Sequence, residues 1–144
     1  MPVDLWSFAL ARYARPGVEN ACLTLQAEGA DVCLLLCGAW LGARRVSCTA
    51  SRAEQLKALA TPWQITVVTP LRQLRQGWKA ATTSDAALAE LREQVKALEL
   101  RAERELLRRL ESASADWPED AGETTHDWLR ELAGFDHPAL QSLV

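Results

Sequence analysis

Apolar residues recur at three- and four-residue steps along most of the chain, the period of helices with one buried face. Leu5-Trp6-Ser7-Phe8-Ala9-Leu10 opens such a pattern behind Asp4, whose carboxylate is placed to accept from the free backbone donors of a first turn. Arg15-Pro16-Gly17 interrupts it, because the residue before a proline is pushed out of helical dihedrals while Pro16 is pre-set for a new first turn. The spacing predicts a second helix over 16–28, closed by a left-handed Gly29, and a third capped by Asp31.

The third segment, Val32 to Leu41, has no polar face, so it belongs at the centre of a domain with neighbours on every side. Its Ala, Leu and Cys content weighs against a buried strand. Gly38 permits a close helix crossing there, and Gly42 is a plausible stop. After the connector Arg44-Arg45-Val46-Ser47-Cys48, Thr49 or Ser51 caps a helix with Ala53, Leu56 and Leu59 on one face, ending near Thr61.

Trp63 to Thr69 is β-branched and strand-like by propensity, yet a lone strand has no partner. Thr61-Pro62 and Thr69-Pro70 both read as helix starts, which favours two short helices or one kinked at Pro70, with Leu71, Leu74 and Trp78 on the apolar face. A long amphipathic helix over 85–112 follows, rich in strong helix formers, with Leu91, Val95, Leu98, Ala102, Leu106 and Leu110 as its apolar face. Glu99 and Glu103 fall on its charged side. An acidic loop around Trp117 leads to a short helix carrying Trp128, Leu129 and Leu132, closed by Gly134, and His137-Pro138 starts a final turn. The fold class is therefore all-α: a compact multi-helix orthogonal bundle, with a central apolar helix and one long amphipathic surface helix, forming a single domain over 1–144.

Composition adds limits. At 144 residues and 49% hydrophobic the chain can bury a full core without metals or disulfides. Its 16 basic and 19 acidic side chains build in no global attraction to phosphate. No apolar run is long enough to span a membrane, and Met1-Pro2-Val3-Asp4 lacks the positive start of a secretory signal, so a cytoplasmic protein without membrane contact is expected. Cys22, Cys33, Cys37 and Cys48 sit among Leu, Ala, Val and Gly, as buried thiols in a reducing compartment do. They lack the Cys-x-x-Cys spacing or nearby histidines of a zinc site, so neither a metal nor a cofactor is expected.

Candidate chemistry is sparse. There is no glycine-rich phosphate loop, no His-Glu-x-x-His pair and no Gly-x-Ser-x-Gly turn. Arg72, Arg75 and Lys79 form one basic ridge, which Arg12 and Arg15, or Arg44 and Arg45, could extend into an anion or nucleic-acid surface. A solvated helix face is the plainer explanation of that ridge. Glu19, in the first turn of an apolar helix, would matter chemically only if it met Arg12, Arg72 and Arg75 in a cleft. Six tryptophans spread over nearly every predicted helix read as core anchors, or as interface contacts where exposed.

Leu5-Trp6-Ser7-Phe8-Ala9-Leu10, Tyr13, Pro16-Gly17-Val18-Glu19, Ala21-Cys22-Leu23, Leu25-Gln26, Gly29-Ala30-Asp31-Val32, Leu34-Leu35-Leu36 and Trp40, with the later Pro70-Leu71-Arg72 and Arg75, resemble an uncharacterised proteobacterial family of unknown function, of the DUF2390 type. The resemblance covers the first half of the chain and implies a small bacterial cytoplasmic protein. It carries no catalytic or ligand assignment, and its position matching Cys33 often resembles Asn, which adds nothing to a cysteine mechanism. Sequence alone thus favours a protein that binds another macromolecule, a protein partner or a second copy through the long helix, over nucleic-acid binding or an enzyme.

Overall fold

The computed structural model describes residues 3–144, so Met1-Pro2 of the opening segment lies outside it. Seven α-helices and no strand are found among the described residues: α1 Leu5–Tyr13, α2 Val18–Ala27, α3 Val32–Ala43, α4 Ala50–Trp63, α5 Thr69–Trp78, α6 Ala86–Ser114 and α7 Thr125–Ala133. A π turn, Gln64–Val68, joins α4 to α5, and 3-10 turns occupy Ala81–Thr83 and Pro138–Leu143. None of these helices is long and apolar enough to cross a membrane.

The caps follow the side chains. Asp4 accepts from the Ser7 amide, Asp31 from Leu34, Thr49 from Arg52 and Asp85 from Leu88. Gly29 and Gly134 close α2 and α7 with φ of 96° and 79°. The second helix starts later than its proline suggests, because Gly17 takes a φ of 83° and the chain turns helical only at Val18.

α3 is the centre, with Cys33 through Gly42 buried without a break. α7 crosses it at the two glycines: a Cβ on Gly38 would lie 2.9 Å from Leu132 Cδ1, and one on Gly42 would lie 2.5 Å from Thr125 Cα. Gly42 is therefore a packing position rather than the stop read from sequence. The helix runs to Ala43 and turns out through Arg45, the one non-glycine residue with positive φ (60°) among those described. The carbonyl of Val46 then ties α7 down, accepting from Thr124 Oγ1 and Trp128 Nε1, both at 2.8 Å. Trp128 is fully buried and stacks on Trp117, with ring centroids 6.0 Å apart.

Around this centre stand α1, α2, α4, the second half of α6 and the C-terminal 3-10 turn, which supply Leu5, Leu25, Leu56, Leu106, Leu110, Leu140 and Leu143. The four cysteines are free, and burial raises their thiols: Cys22 and Cys48 to about 11, Cys33 and Cys37 further.

The region from Ala50 to Trp78 departs from the expectation of separate or kinked helices. It is helical throughout, with the π turn placed between Pro62 and Pro70. A proline ring collides with the carbonyl four residues back, here that of Thr66 for Pro70, and a widened turn moves that carbonyl aside without breaking the helix. The rod keeps its N-terminal part on the core, where Ala53, Leu56 and Ala60 are buried, and sends α5 along the first half of α6. This α5/α6 hairpin lies outside the main core. No residue of α5 is fully buried, and on α6 Leu91 and Leu98 stay exposed while Glu99 and Leu107 are buried instead. The apolar face read from the sequence thus holds for Val95, Ala102, Leu106 and Leu110 but not for Leu91 and Leu98, because α6 changes neighbours midway.

Candidate functional site

The densest group of charges lies where the hairpin meets the body. Arg72 and Arg75 occupy one face of α5, three apart, and both turn onto Glu99 of α6. Arg75 Nε donates to Glu99 Oε1 at 2.6 Å and its Nη2 to Oε2 at 3.3 Å, while Arg72 Nε donates to Oε2 at 3.0 Å. Hydrogen bonding to Glu99 holds the Arg75 guanidinium above its ordinary pKa. Arg92 Nε secures the Arg75 backbone by donating to its carbonyl at 2.8 Å. The Glu99 carboxylate, read from the sequence as part of a solvated face, is 8% exposed because the partner helix brings two guanidinia over it.

Two further carboxylates share the cluster. Glu103, one turn along α6, lies 4.0 Å from Arg72 Nη2. Asp31, the cap of α3, accepts from Gln64 Nε2 at 2.8 Å through the Oδ1 that also caps the helix, while its Oδ2 is sealed in without a donor. Gln26 of α2 completes the ring with its terminal amide beside Arg72; oriented as hydrogen bonding requires, with its oxygen toward the guanidinium, it accepts from Nε at 2.9 Å and Nη1 at 3.1 Å. The cluster therefore joins α2, α3, the π turn, α5 and α6.

Asp31, Glu99 and Glu103 outnumber Arg72 and Arg75 by one charge. Burial raises Asp31 to about 6, against the hydrogen bonds from Leu34 and Gln64. Burial, reinforced by the Glu99 charge, raises Glu103 to about 7, against the pull of Arg72 and Arg75. Both folded values exceed the unfolded ones, so the folded protein binds more protons between them. The stability they contribute is complete below the ordinary carboxylate range and is lost as pH rises through about 6 and about 7. The melting temperature should therefore fall between pH 5 and pH 8, and Glu103→Gln should flatten that slope, as a thermal melt series will read. A slope unchanged in Glu103→Gln would remove Glu103 from this account.

Two clefts flank the cluster. One, of about 580 Å³, is bordered by Asp31, Gln64, Arg72, Gln73 and Gln76. The other, of about 320 Å³, lies between α1, α2, α3 and α6, with Tyr13, Gln26 and Glu103 among apolar walls. Among the described residues, no group of three or more His, Cys, Asp and Glu side chains is arranged to hold a metal.

The other candidate residues lie elsewhere. Arg12 Nη1 donates to the Leu143 carbonyl at 2.6 Å and Arg15 Nη1 to that of Val144 at 3.3 Å. Arg12 also covers the Phe8 ring. Glu19 is exposed on α2 and borders neither cleft, and Lys79 is exposed beyond α5. Arg44 folds over Trp40 toward Glu119. Of the candidate residues, the structure brings only Arg72 and Arg75 into the charged cluster, to which it adds Asp31, Glu99, Glu103, Gln26 and Gln64, while Arg12 and Arg15 meet at the C-terminal carbonyls instead. Asp31 read from sequence as a helix cap, which it is, and nothing in one sequence tells which distant guanidinium a glutamate meets.

Residues 4–110 match the family described as Protein of unknown function (DUF2390). The chain belongs to DUF2390. The DUF2390 match takes in every residue of the charged cluster and both clefts, whereas α7 and the terminal 3-10 turn lie beyond it. No curated protein matches the chain, and no solved structure does.

Proposed function

We propose that this protein is an interaction module of the bacterial cytoplasm, that its working surface is the α5/α6 hairpin, and that its partner is a second copy of the chain. The observation that carries this reading is the apolar surface of a hairpin standing off the main core: Leu74, Leu91 and Leu98 are 43%, 50% and 47% exposed. Leu71 and Leu98 open onto one groove whose floor continues through Val67, Ala102 and Trp63, with Arg101, Arg104 and Glu105 at its border. A two-helix hairpin covers such a face economically by pairing with its own copy into a four-helix arrangement. The mixed charges at the border suit self-pairing better than a partner of a single sign. Free cysteines support a reducing compartment.

The nucleic-acid reading is less favoured because Arg72 and Arg75 direct their donors inward to Glu99, away from any phosphate. Light scattering tests self-association. Twice the monomer mass is expected for the native chain, and Leu74→Glu combined with Leu91→Glu should return the monomer with helicity unchanged. A native chain that stays monomeric at the highest attainable concentration would overturn the reading.

A further inference from the structure

We propose that the cleft between α1, α2, α3 and α6 binds a small organic amine, its apolar body against Trp6, Leu10, Val32 and Leu36 and its ammonium on Glu103. The inference does not rest on self-association: Trp6 borders both this cleft and the hairpin groove, but Glu103 opens onto the cleft and not onto the groove.

Its volume of about 320 Å³ is at the small end of ligand sites, enough for a body of one ring or a short chain. The walls are apolar apart from a few groups that converge from different helices: Tyr13 from α1, Gln26 from α2 and Glu103 from α6. The thiols of Cys22 and Cys33 also border it and are neutral, being raised by burial. Among the described residues Glu103 is the sole charged side chain at its border, and no basic residue lines it. That composition rejects a carboxylate or phosphate and admits a cation.

The cluster behind the wall points the same way. Glu99 takes short hydrogen bonds from both arginines, but Glu103 is left with a contact of 4.0 Å to Arg72. An ammonium at Glu103 would supply the one positive charge that three carboxylates and two guanidinia lack, in a half-buried setting where a charge-assisted hydrogen bond is stronger than on an open surface. Asp31 cannot serve instead, because its free oxygen is sealed from the solvent side. Tyr13 and Trp6 add aromatic surface, which favours cations over anions.

Calorimetry with three probes of nearly equal shape separates the outcomes: 2-phenylethylamine, 2-phenylethanol and 3-phenylpropionate. The amine should bind most tightly, the alcohol weakly and the carboxylate not at all. Glu103→Gln should weaken the amine by about tenfold or more while leaving the alcohol unchanged. Ala14→Trp, at the exposed border of the cleft, should block both. In the native chain amine affinity should fall on acidification through about 7, where a proton takes the place of the ammonium on Glu103. This titration tests the inference even where a variant does not fold. Equal or tighter binding of the carboxylate, amine affinity indifferent to Glu103→Gln or to pH, or no binding of the amine at saturating concentration would each overturn it.

Discussion

Glu99→Ala should lower the stability of the fold by about 3 kcal/mol, a fall in Tm of about 6–12 °C for a chain of this size. The loss of one short side chain has this effect because it takes from Arg75 its salt-bridge partner and leaves Arg72 with Gln26 and the 4.0 Å contact to Glu103. Arg72 and Arg75 are 17% and 26% exposed, so water reaches them in part and the effect sits at the low end for a broken buried pair. Replacing the group together, with Glu99→Leu, Arg72→Met and Arg75→Met, should recover stability to within about 1 kcal/mol of the native chain at pH 5–6, since no guanidinium is then stranded and Glu103, which loses its contact with Arg72, is held protonated there. The damage should also be local. Amide exchange in α5 should accelerate in Glu99→Ala while α3 stays protected, because the cluster holds the hairpin and not the centre. A melt of Glu99→Ala that overlays the native one would show that the arginines find other partners at no cost.

Gly42→Ala should be nearly as damaging, and Gly38→Ala nearly silent, although both put one methyl on the same face of the same helix. Alanine in place of glycine in a helix interior gains about 1 kcal/mol from backbone entropy. At Gly38 the methyl would meet the Leu132 Cδ1 tip at 2.9 Å and Trp128 Cβ at 3.3 Å, and the leucine end can swing away. At Gly42 it would meet the Thr125 backbone, 2.5 Å from Cα and 2.7 Å from N, with nothing flexible to yield. α7 must then lift from α3, loosening Trp128 and Leu129, both fully buried. Overpacking of this kind costs about 1–3 kcal/mol or more, which outweighs the helix gain at Gly42 and roughly cancels it at Gly38. Denaturant unfolding of both variants decides the matter, and a Gly42→Ala protein as stable as the native chain would mean that the two helices do not meet so closely.

Much of this centre is legible in the chain itself. An apolar run with no polar face can only be enclosed, and Asp4, Asp31, Gly29 and Gly134 mark helix ends through chemistry that acts within a few residues. The continuity of 50–78 was hidden because Thr61-Pro62 and Thr69-Pro70 carry the local mark of a helix start. What overrides it is the π turn, whose benefit is the seating of α5 on α6, a contact between distant segments. Glu99 was hidden for a related reason. Four residues after Val95 and three before Ala102, it has the periodicity of the apolar face itself, but a carboxylate there reads as solvated until the placement of Arg72 and Arg75 supplies the cations that let it be buried. The basic ridge could be seen, but not the acid that occupies it.

The widened turn at Gln64–Val68 also acts as a phase adjuster. The wide turn already absorbs one extra residue, and since an α-helix advances by about 100° per residue, one more position there would rotate everything downstream by that angle. Gln64 at its start reaches Asp31, and Arg72 and Arg75 beyond it reach Glu99, so both alignments depend on the same five residues. Lengthening this stretch by one would leave α4 seated while swinging both guanidinia away from their acid. Length in this stretch is thus constrained more tightly than side-chain identity.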